Sequence, residues 1–463
     1  MYSFKGSTKK MGLVSFLVFS LLFVEASLLK ATTTQDHCSS KIQDDQYQLN
    51  NSGIHLTLHH VHGPCSPWAS PPSSPLEILK HDQARVRALS NRLAKTTRST
   101  TSTAPKSISV PLNPGESAGV GNYVVRIGLG SPAKSFLVVM DTGSSFSWVQ
   151  CEPCGSYCHP QTGPTFDPST SHTYKSISCN SSECSNLEDA TLNPPACSSS
   201  NICEYEASYG DGSFSVGYLS RDTLTVVHSQ TVPGFVYGCG QNNQGLFGRT
   251  AGLIGLARNP LSLLGQLSSK YGYTFSYCLP TLSSSGTLSI GSFNPSIYTF
   301  TRMYTDSRDS TLYFLRLTSM IVNGKTLRVS RSTYTSSHTI IDSGTVITRL
   351  PPEVYTALQE GFVKGMGKYT RAPPYSILDT CYNGTATSLS VPEVRLIFEG
   401  GAELKLAARN VMYEVSDNVS CLAFASNEDA GGISIIGNTQ QQTFRIVYDV
   451  SHRRIGFAGG GCD

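Results

Sequence analysis

No stretch of the 463-residue sequence is apolar for long enough to cross a bilayer as a helix. The longest such run, Met11 to Val24, covers about 14 residues where ~20 are needed. The final residues, Gly459-Gly460-Gly461-Cys462-Asp463, lack the hydrophobic tail of a lipid-anchor signal. The expectation is a soluble product without a membrane anchor. Charge is scarce as well: 14% of residues are charged against 39% hydrophobic, which excludes disorder throughout and allows a large core in more than one domain. Residues 107 to 463 contain no basic cluster and carry a net −3, which gives little support to a nucleic-acid partner.

What is present at the N-terminus is a leader pattern. Lys5, Lys9 and Lys10 precede the apolar run, and the small-residue stretch Val24-Glu25-Ala26-Ser27 follows it. Residues 1–26 therefore read as a secretory signal cleaved near Ala26. The expected destination is extracellular, the apoplast, with vacuole or plastid as alternatives. Twelve of the fourteen cysteines fall after residue 150, an even number such as six disulfides would require. The sequons at Asn180, Asn383 and Asn418, with another at Asn50, are glycosylation candidates open only to a secretory-pathway protein.

Net charge becomes informative when divided along the chain: +2 over residues 1–26, +4 over 27–106 and −3 beyond. A basic leader ahead of an acidic body suggests a segment that docks by charge attraction and leaves when acid neutralises the body's carboxylates. Residues 27–106 are rich in Ser, Thr, Pro and His and do not read as a compact domain. Within them, Leu76 to Lys95 places Leu79, Val86, Leu89 and Leu93 near one helical face, with Lys80, Arg85, Arg87 and Arg92 available to others. Its position favours a propeptide helix covering a cleft over a solvated linker or a surface-binding helix. The Ser/Thr-rich run Thr96 to Thr103 would then be exposed to processing.

From about Ser107 the chain changes to short β-branched and aromatic runs broken by Gly, Asn, Asp and Pro, which predicts a mainly β body. Helices are expected at Pro260 to Lys270 and Glu353 to Gly365. A loose repeat divides this body at about residue 302. One apolar strand leads into Asp141-Thr142-Gly143-Ser144, and another, Thr339-Ile-Ile341, into Asp342-Ser343-Gly344-Thr345. Each is echoed later by an apolar pair and a glycine, Leu253-Ile254-Gly255 and Ile435-Ile436-Gly437. Two β lobes related by an approximate twofold axis, 107–302 and 303–463, would each contribute one loop to a cleft between them.

A single Asp-Thr-Gly or Asp-Ser-Gly is an ordinary turn, but two behind matched strands have a chemical use. Gly143 and Gly344 permit the tight turns, Ser144 and Thr345 can hydrogen-bond the carboxylates, and Thr142 and Ser343 can bond across the lobe junction. Two aspartates at hydrogen-bond distance share one proton, leaving one acid and one base. The base takes a proton from a water that attacks a carbonyl, and the acid polarises the carbonyl oxygen. This chemistry needs no metal and no cofactor.

These residues resemble the pepsin-like aspartic peptidases, across nearly all of 107–463. Asp141-Thr-Gly-Ser-Ser145 with Trp148 resembles the first catalytic motif and its supporting tryptophan, and Tyr209-Gly210-Asp211-Gly212-Ser213 resembles the hairpin flap that closes over substrate. The resemblance implies a bilobal pepsin-like fold, a zymogen acting as a monomer on polypeptides at acid pH, and its own propeptide as partner. The cysteine-rich stretch from Cys151 to Cys203 is similar to the insertion of plant nepenthesin-type enzymes. Phrases such as Gly238-Cys-Gly-Gln-Asn-Asn-Gln-Gly-Leu-Phe247 are similar to the plant subgroup named after chloroplast nucleoid DNA-binding aspartic proteases. The expected disulfides include Cys381 with Cys421 and Cys278 with Cys462. Three rival signals remain. Cys151, Cys154, Cys158 and His159 have zinc-like spacing, although disulfides suit the compartment better. Gly128-Leu-Gly130 mimics a dinucleotide loop, but Pro132 and the strand resuming at Phe136 make it a hairpin. Some plant proteins resembling this fold are noncatalytic inhibitors of glycan-degrading enzymes; the presence of both aspartates, both hydroxyls and the flap tyrosine favours an enzyme.

Overall fold

The computed structural model describes residues 53–63, 74–95 and 123–462, apart from 210–211, 228–229, 246, 336–337 and 428–431. The leader at 1–26, the sequon at Asn50, the run Thr96 to Thr103 and Gly210 lie outside the described residues.

The basic segment before residue 107 contributes more structure than its composition suggests. Strand β1 (Ile54–His60) alternates Ile54, Leu56 and Leu58 into the core and pairs antiparallel with Ser285–Ile290 on one side and with β2 (Tyr123–Leu129) on the other. Residues 27–106 were expected to lack compact structure; the seven-residue alternation is short, and its polar positions are histidines and threonine, so only pairing with the body reveals it as a strand. Helix α1 (Pro75–Lys95) opens on a reciprocal cap. The Ser74 hydroxyl accepts from the Glu77 amide at 3.3 Å and the Glu77 carboxylate from the Ser74 amide at 3.2 Å, with Pro75 at the first helical position. Leu79, Val86, Leu89 and Leu93 are all buried, as their spacing predicts, and Lys80 and Arg87 are exposed. Ile78 and Leu79 pack with Val346, Ile347 and Leu378, whereas Val86, Leu89 and Leu93 pack with Leu312, Phe314, Ile340 and Ile435.

The body is mainly β. β2 and β3 (Lys134–Asp141) form a hairpin around Gly130 to Ala133, which settles the dinucleotide-like glycines as a turn. In the first half, β3 ends on Asp141, runs parallel to β5 (Gly252–Gly255), and β5 in turn pairs antiparallel with β4 (Trp148–Gln150). The second half repeats this. β6 (Thr339–Ile341), which leads into Asp342, runs parallel to β8 (Ser434–Ile436), and β8 pairs antiparallel with β7 (Thr348–Leu350). The expected helices occur at Leu263–Tyr271 and Pro352–Gly365.

The echoed glycines have a packing reason. A Cβ on Gly255 would lie 2.5 Å from the Ser144 carbonyl oxygen, and one on Gly437 would lie 2.6 Å from the Val346 carbonyl oxygen, so each presses against the loop after an aspartate. Gly437→Ala should lower stability by about 1–3 kcal/mol, the usual cost of overpacking, because only backbone can give way there. A chemical-denaturation midpoint unchanged from the parent would refute this.

Six disulfides join the described cysteines: Cys151–Cys239, Cys154–Cys158, Cys179–Cys197, Cys184–Cys203, Cys278–Cys462 and Cys381–Cys421. Cys151, Cys154 and Cys158 thus spend their sulfurs on disulfides, and the His159 ring hydrogen-bonds the Thr250 carbonyl at 2.9 Å. Asn180, Asn383 and Asn418 are exposed; Asn383 is on a strand and pairs with Val419, and Asn418 is in the turn just before that residue.

Candidate active site

Because β3 and β6 end at matched points of the repeat, the two aspartates arrive together. Both carboxylates are buried, and each is held by its own loop. Asp141 accepts from the Gly143 amide at 2.9 Å and the Ser144 hydroxyl at 2.5 Å; Asp342 accepts from the Gly344 amide at 3.2 Å and the Thr345 hydroxyl at 2.6 Å. The loops are cross-braced. The Ser343 amide donates to the Thr142 hydroxyl at 2.9 Å, the Thr142 amide donates to the Ser343 hydroxyl at 3.3 Å, and the hydroxyls lie 3.2 Å apart. The role expected for Gly344 changes in its physical basis: its φ is not left-handed, but a Cβ there would stand 2.8 Å from the Asp141 carboxylate. Close approach of Arg85, nearer still, and of the opposite carboxylate, not turn geometry, excludes a side chain there; Gly143, whose φ is likewise not left-handed, would meet Arg85 Nη2 at 2.7 Å and Asp342 Oδ1 at 3.1 Å.

Two braces escaped the sequence reading. Just after Gly437, the Asn438 side chain donates to the Ser343 carbonyl at 2.9 Å, and that of Gln441 donates to the Asp342 carbonyl at 3.1 Å. Amides in a polar Asn-Thr-Gln-Gln run carry no pattern that sets them apart from an exposed polar turn; only the fold brings them to the carbonyls of the loop.

The strands Cys203–Ser208 and Phe214–Val227 form the hairpin expected to serve as a flap. Its tip is closed by the Tyr209 amide donating to the Ser213 carbonyl at 2.8 Å, and Gly212 has φ +85°. The Trp148 indole donates to the Tyr209 hydroxyl at 2.8 Å, and Phe247 meets Trp148 edge-on at 4.8 Å, so the tryptophan fixes the flap tyrosine.

The most consequential contact comes from α1. The Arg85 Nη2 donates to Asp141 Oδ1 at 2.7 Å and to Asp342 Oδ1 at 3.0 Å, and Nε donates to Asp342 Oδ2 at 2.9 Å. One nitrogen thus bridges the two inner oxygens, where water activation needs a water. Burial pushes the Asp342 carboxyl up, but Arg85's charge and hydrogen bonds, with the Thr345 hydroxyl and the Gly344 amide, outweigh it and hold the group below the usual carboxylate range. Despite burial, the two carboxylates raise Arg85 itself well above its ordinary value. A cation between two carboxylates favours charge on both, the opposite of the single shared proton expected of such a pair. Sequence had offered Arg85 only as one of several cations on a basic helix.

Two neighbours on α1 extend this seal. Arg92 ion-pairs with Asp309 and donates to the Thr311 hydroxyl at 2.8 Å. Asp82 accepts from the Val346 amide at 2.5 Å, the Ile347 amide at 3.3 Å and the Arg349 guanidinium at 2.9 Å. Burial raises the Asp82 carboxyl, and the pull of Arg349 and the two amides does not fully offset it.

Comparison with known proteins gives the chain its relatives. Residues 123–292 match the family model described as xylanase inhibitor N-terminal, and residues 312–459 match that described as xylanase inhibitor C-terminal. An aspartyl protease family protein of Arabidopsis thaliana is 40% identical over 92% of this chain and 90% of its own. Aspartic proteinase nepenthesin-2 of Nepenthes gracilis is 36% identical over 74% of this chain and 79% of its own. Among solved structures, basic 7S globulin from soybean matches with a TM-score of 0.59 at 22% identity, covering 74% of this chain and 94% of that one; this shows a shared fold alone.

Proposed function

Since the chain belongs to the plant pepsin-like aspartyl protease family, we propose that it is an aspartic endopeptidase, secreted as a latent precursor and most active in acid. The observation that carries this reading is the meeting of Asp141 and Asp342, each hydrogen-bonded by its own loop and braced across the junction. With α1 gone, the inner oxygens admit a water. One carboxylate, sharing the dyad's proton, protonates the carbonyl oxygen while the other takes a proton from the attacking water. The flap hairpin with Tyr209 covers the polypeptide substrate. The six disulfides and exposed sequons suit an oxidising, extracellular destination such as the apoplast. We assign 1–26 to the signal, 27–106 to the propeptide and the remainder to a monomeric two-lobed body.

Acid should open the precursor, and the sign follows from Asp342. Its docked pKa is depressed, so the Arg85 clamp is fully present above the ordinary carboxylate value of about 4 and is lost as pH falls through the docked value. Asp82, whose carboxyl is raised, acts in the opposite sense and cannot be the release trigger. The full-length precursor should therefore stay intact at pH 6 and lose its leader once pH drops below about 4, read by gel against time. Equal conversion at both pH values would sink the acid trigger.

The test of the activity itself is cleavage of a denatured protein by acid-treated precursor, with and without pepstatin. Pepstatin-sensitive cleavage is the expected result. A folded protein with no such cleavage at any acid pH would instead support the noncatalytic binding role that the matched family models' description brings to mind.

A further inference from the structure

The cup that holds Asp82 belongs to the body, not to the leader. Val346 and Ile347 continue the loop that starts at Asp342, and Arg349 sits on β7, paired with Ile435 of β8 and Ala425. The guanidinium is oriented by its own strand, with Nη1 donating to the Ile347 carbonyl at 2.7 Å. Its other side-chain partners, the Asp82 carboxylate and the Gln83 side-chain oxygen at 3.0 Å, both come from α1. The Arg349 side chain is 1% exposed in this state. When α1 leaves, a guanidinium still oriented by its own strand loses its counter-ion and two of its acceptors, and is left pre-organised for another carboxylate.

We propose that Arg349, with the Val346 and Ile347 amides, forms a specificity subsite that takes an acidic side chain of the polypeptide substrate. This rests on the peptidase reading above and adds the substrate chemistry. The leader already shows how the subsite is used: Asp82 fills it with a carboxylate while Arg85, one helical turn on, covers the dyad. Residues three apart on a helix are about 5–6 Å apart at Cβ, and an extended chain rises about 3.3 Å per residue, so the subsite lies roughly two residues from the scissile bond. Three convergent donors, the Arg349 Nη2 and the Val346 and Ile347 amides, suit a carboxylate. A glutamine would turn its NH2 or leave a donor unmet, and a lysine would be repelled. The apolar residues that receive Ile78 and Leu79 border the cup, so the preferred substrate combines an acidic residue with aliphatic neighbours.

The test moves a single Glu through the three positions on each side of the scissile bond of one cleavable peptide, each version paired with its Gln counterpart. Acid-activated protein returned to about pH 5, above the ordinary Glu value of about 4.3, should show kcat/KM about tenfold higher or more for Glu than for Gln at one position, the factor expected when buried donors lose their match. Arg349→Met should bring that ratio to near one, and Arg349→Lys should leave an intermediate ratio. Ratios near one at every position, or a preference that survives Arg349→Met, overturn the subsite while leaving the peptidase reading intact. Cleavage of none of the peptides by unaltered protein overturns both. The scan of unaltered protein decides the matter even if Arg349→Met fails to fold.

Discussion

Asp342→Asn, expressed as the full-length precursor and acid-treated, should lose about 10³-fold or more in kcat/KM while keeping its fold. An amide cannot alternate between taking a proton from water and returning it to the leaving amine. Its shape is that of the carboxylate, and the surrounding donors tolerate it: the amide oxygen can still accept from the Gly344 N–H, and the Thr345 hydroxyl can rotate to accept from the new NH2. The Thr142 hydroxyl of the cross-brace, which also donates to Asp342 Oδ1 at 3.3 Å, can donate to the amide oxygen in the same place, so the brace to Ser343 is kept. The unfolding midpoint of the mature form should therefore shift little, and circular dichroism should match the parent. Residual activity within tenfold of the parent would remove Asp342 from the chemistry and with it the dyad mechanism.

What made Asp342 readable in the sequence was repetition, not the motif itself. Asp-Ser-Gly alone is a turn, but Thr339-Ile-Ile341 before it and Ile435-Ile436-Gly437 after it restate the first half, and in the fold these pair strand to strand as β6 with β8. Periodicity also located α1, because Leu79, Val86, Leu89 and Leu93 return every three to four residues and all four are buried. Three things resisted. β1 is too short and too polar on its second face to stand out before its partners are known. Asn438 and Gln441 act through side-chain amides on backbone carbonyls, contacts that leave no spacing signature. The choice of Arg85 over Lys80 or Arg87 depends on which helical face meets the dyad, and the apolar stripe bounds that face without naming the cation at its edge.

Replacing that cation gives the second large effect. Arg85→Met in the full-length precursor should raise cleavage of a small peptide before any processing by about 10²–10³-fold near pH 5, because removing one partner of a buried ion pair typically costs 3–5 kcal/mol. The methionine keeps much of the aliphatic stem but supplies no donor to the two inner oxygens, so Asp141 and Asp342 are left to share a proton and admit water as the free dyad would. The helix itself should remain, since Leu79, Val86, Leu89 and Leu93 stay buried and Asp82 keeps its cup; what falls is the free energy holding the dyad shut. Lys80→Met is the control, because Lys80 is exposed on the same helix and its loss should leave latency unchanged. Initial rates on a quenched fluorescent peptide, taken before gels show any shortened chain, separate opening from processing. If Arg85→Met stays as latent as the parent, latency resides in the apolar faces of α1. The position of a guanidinium between the two carboxylates would then contribute to docking without governing it.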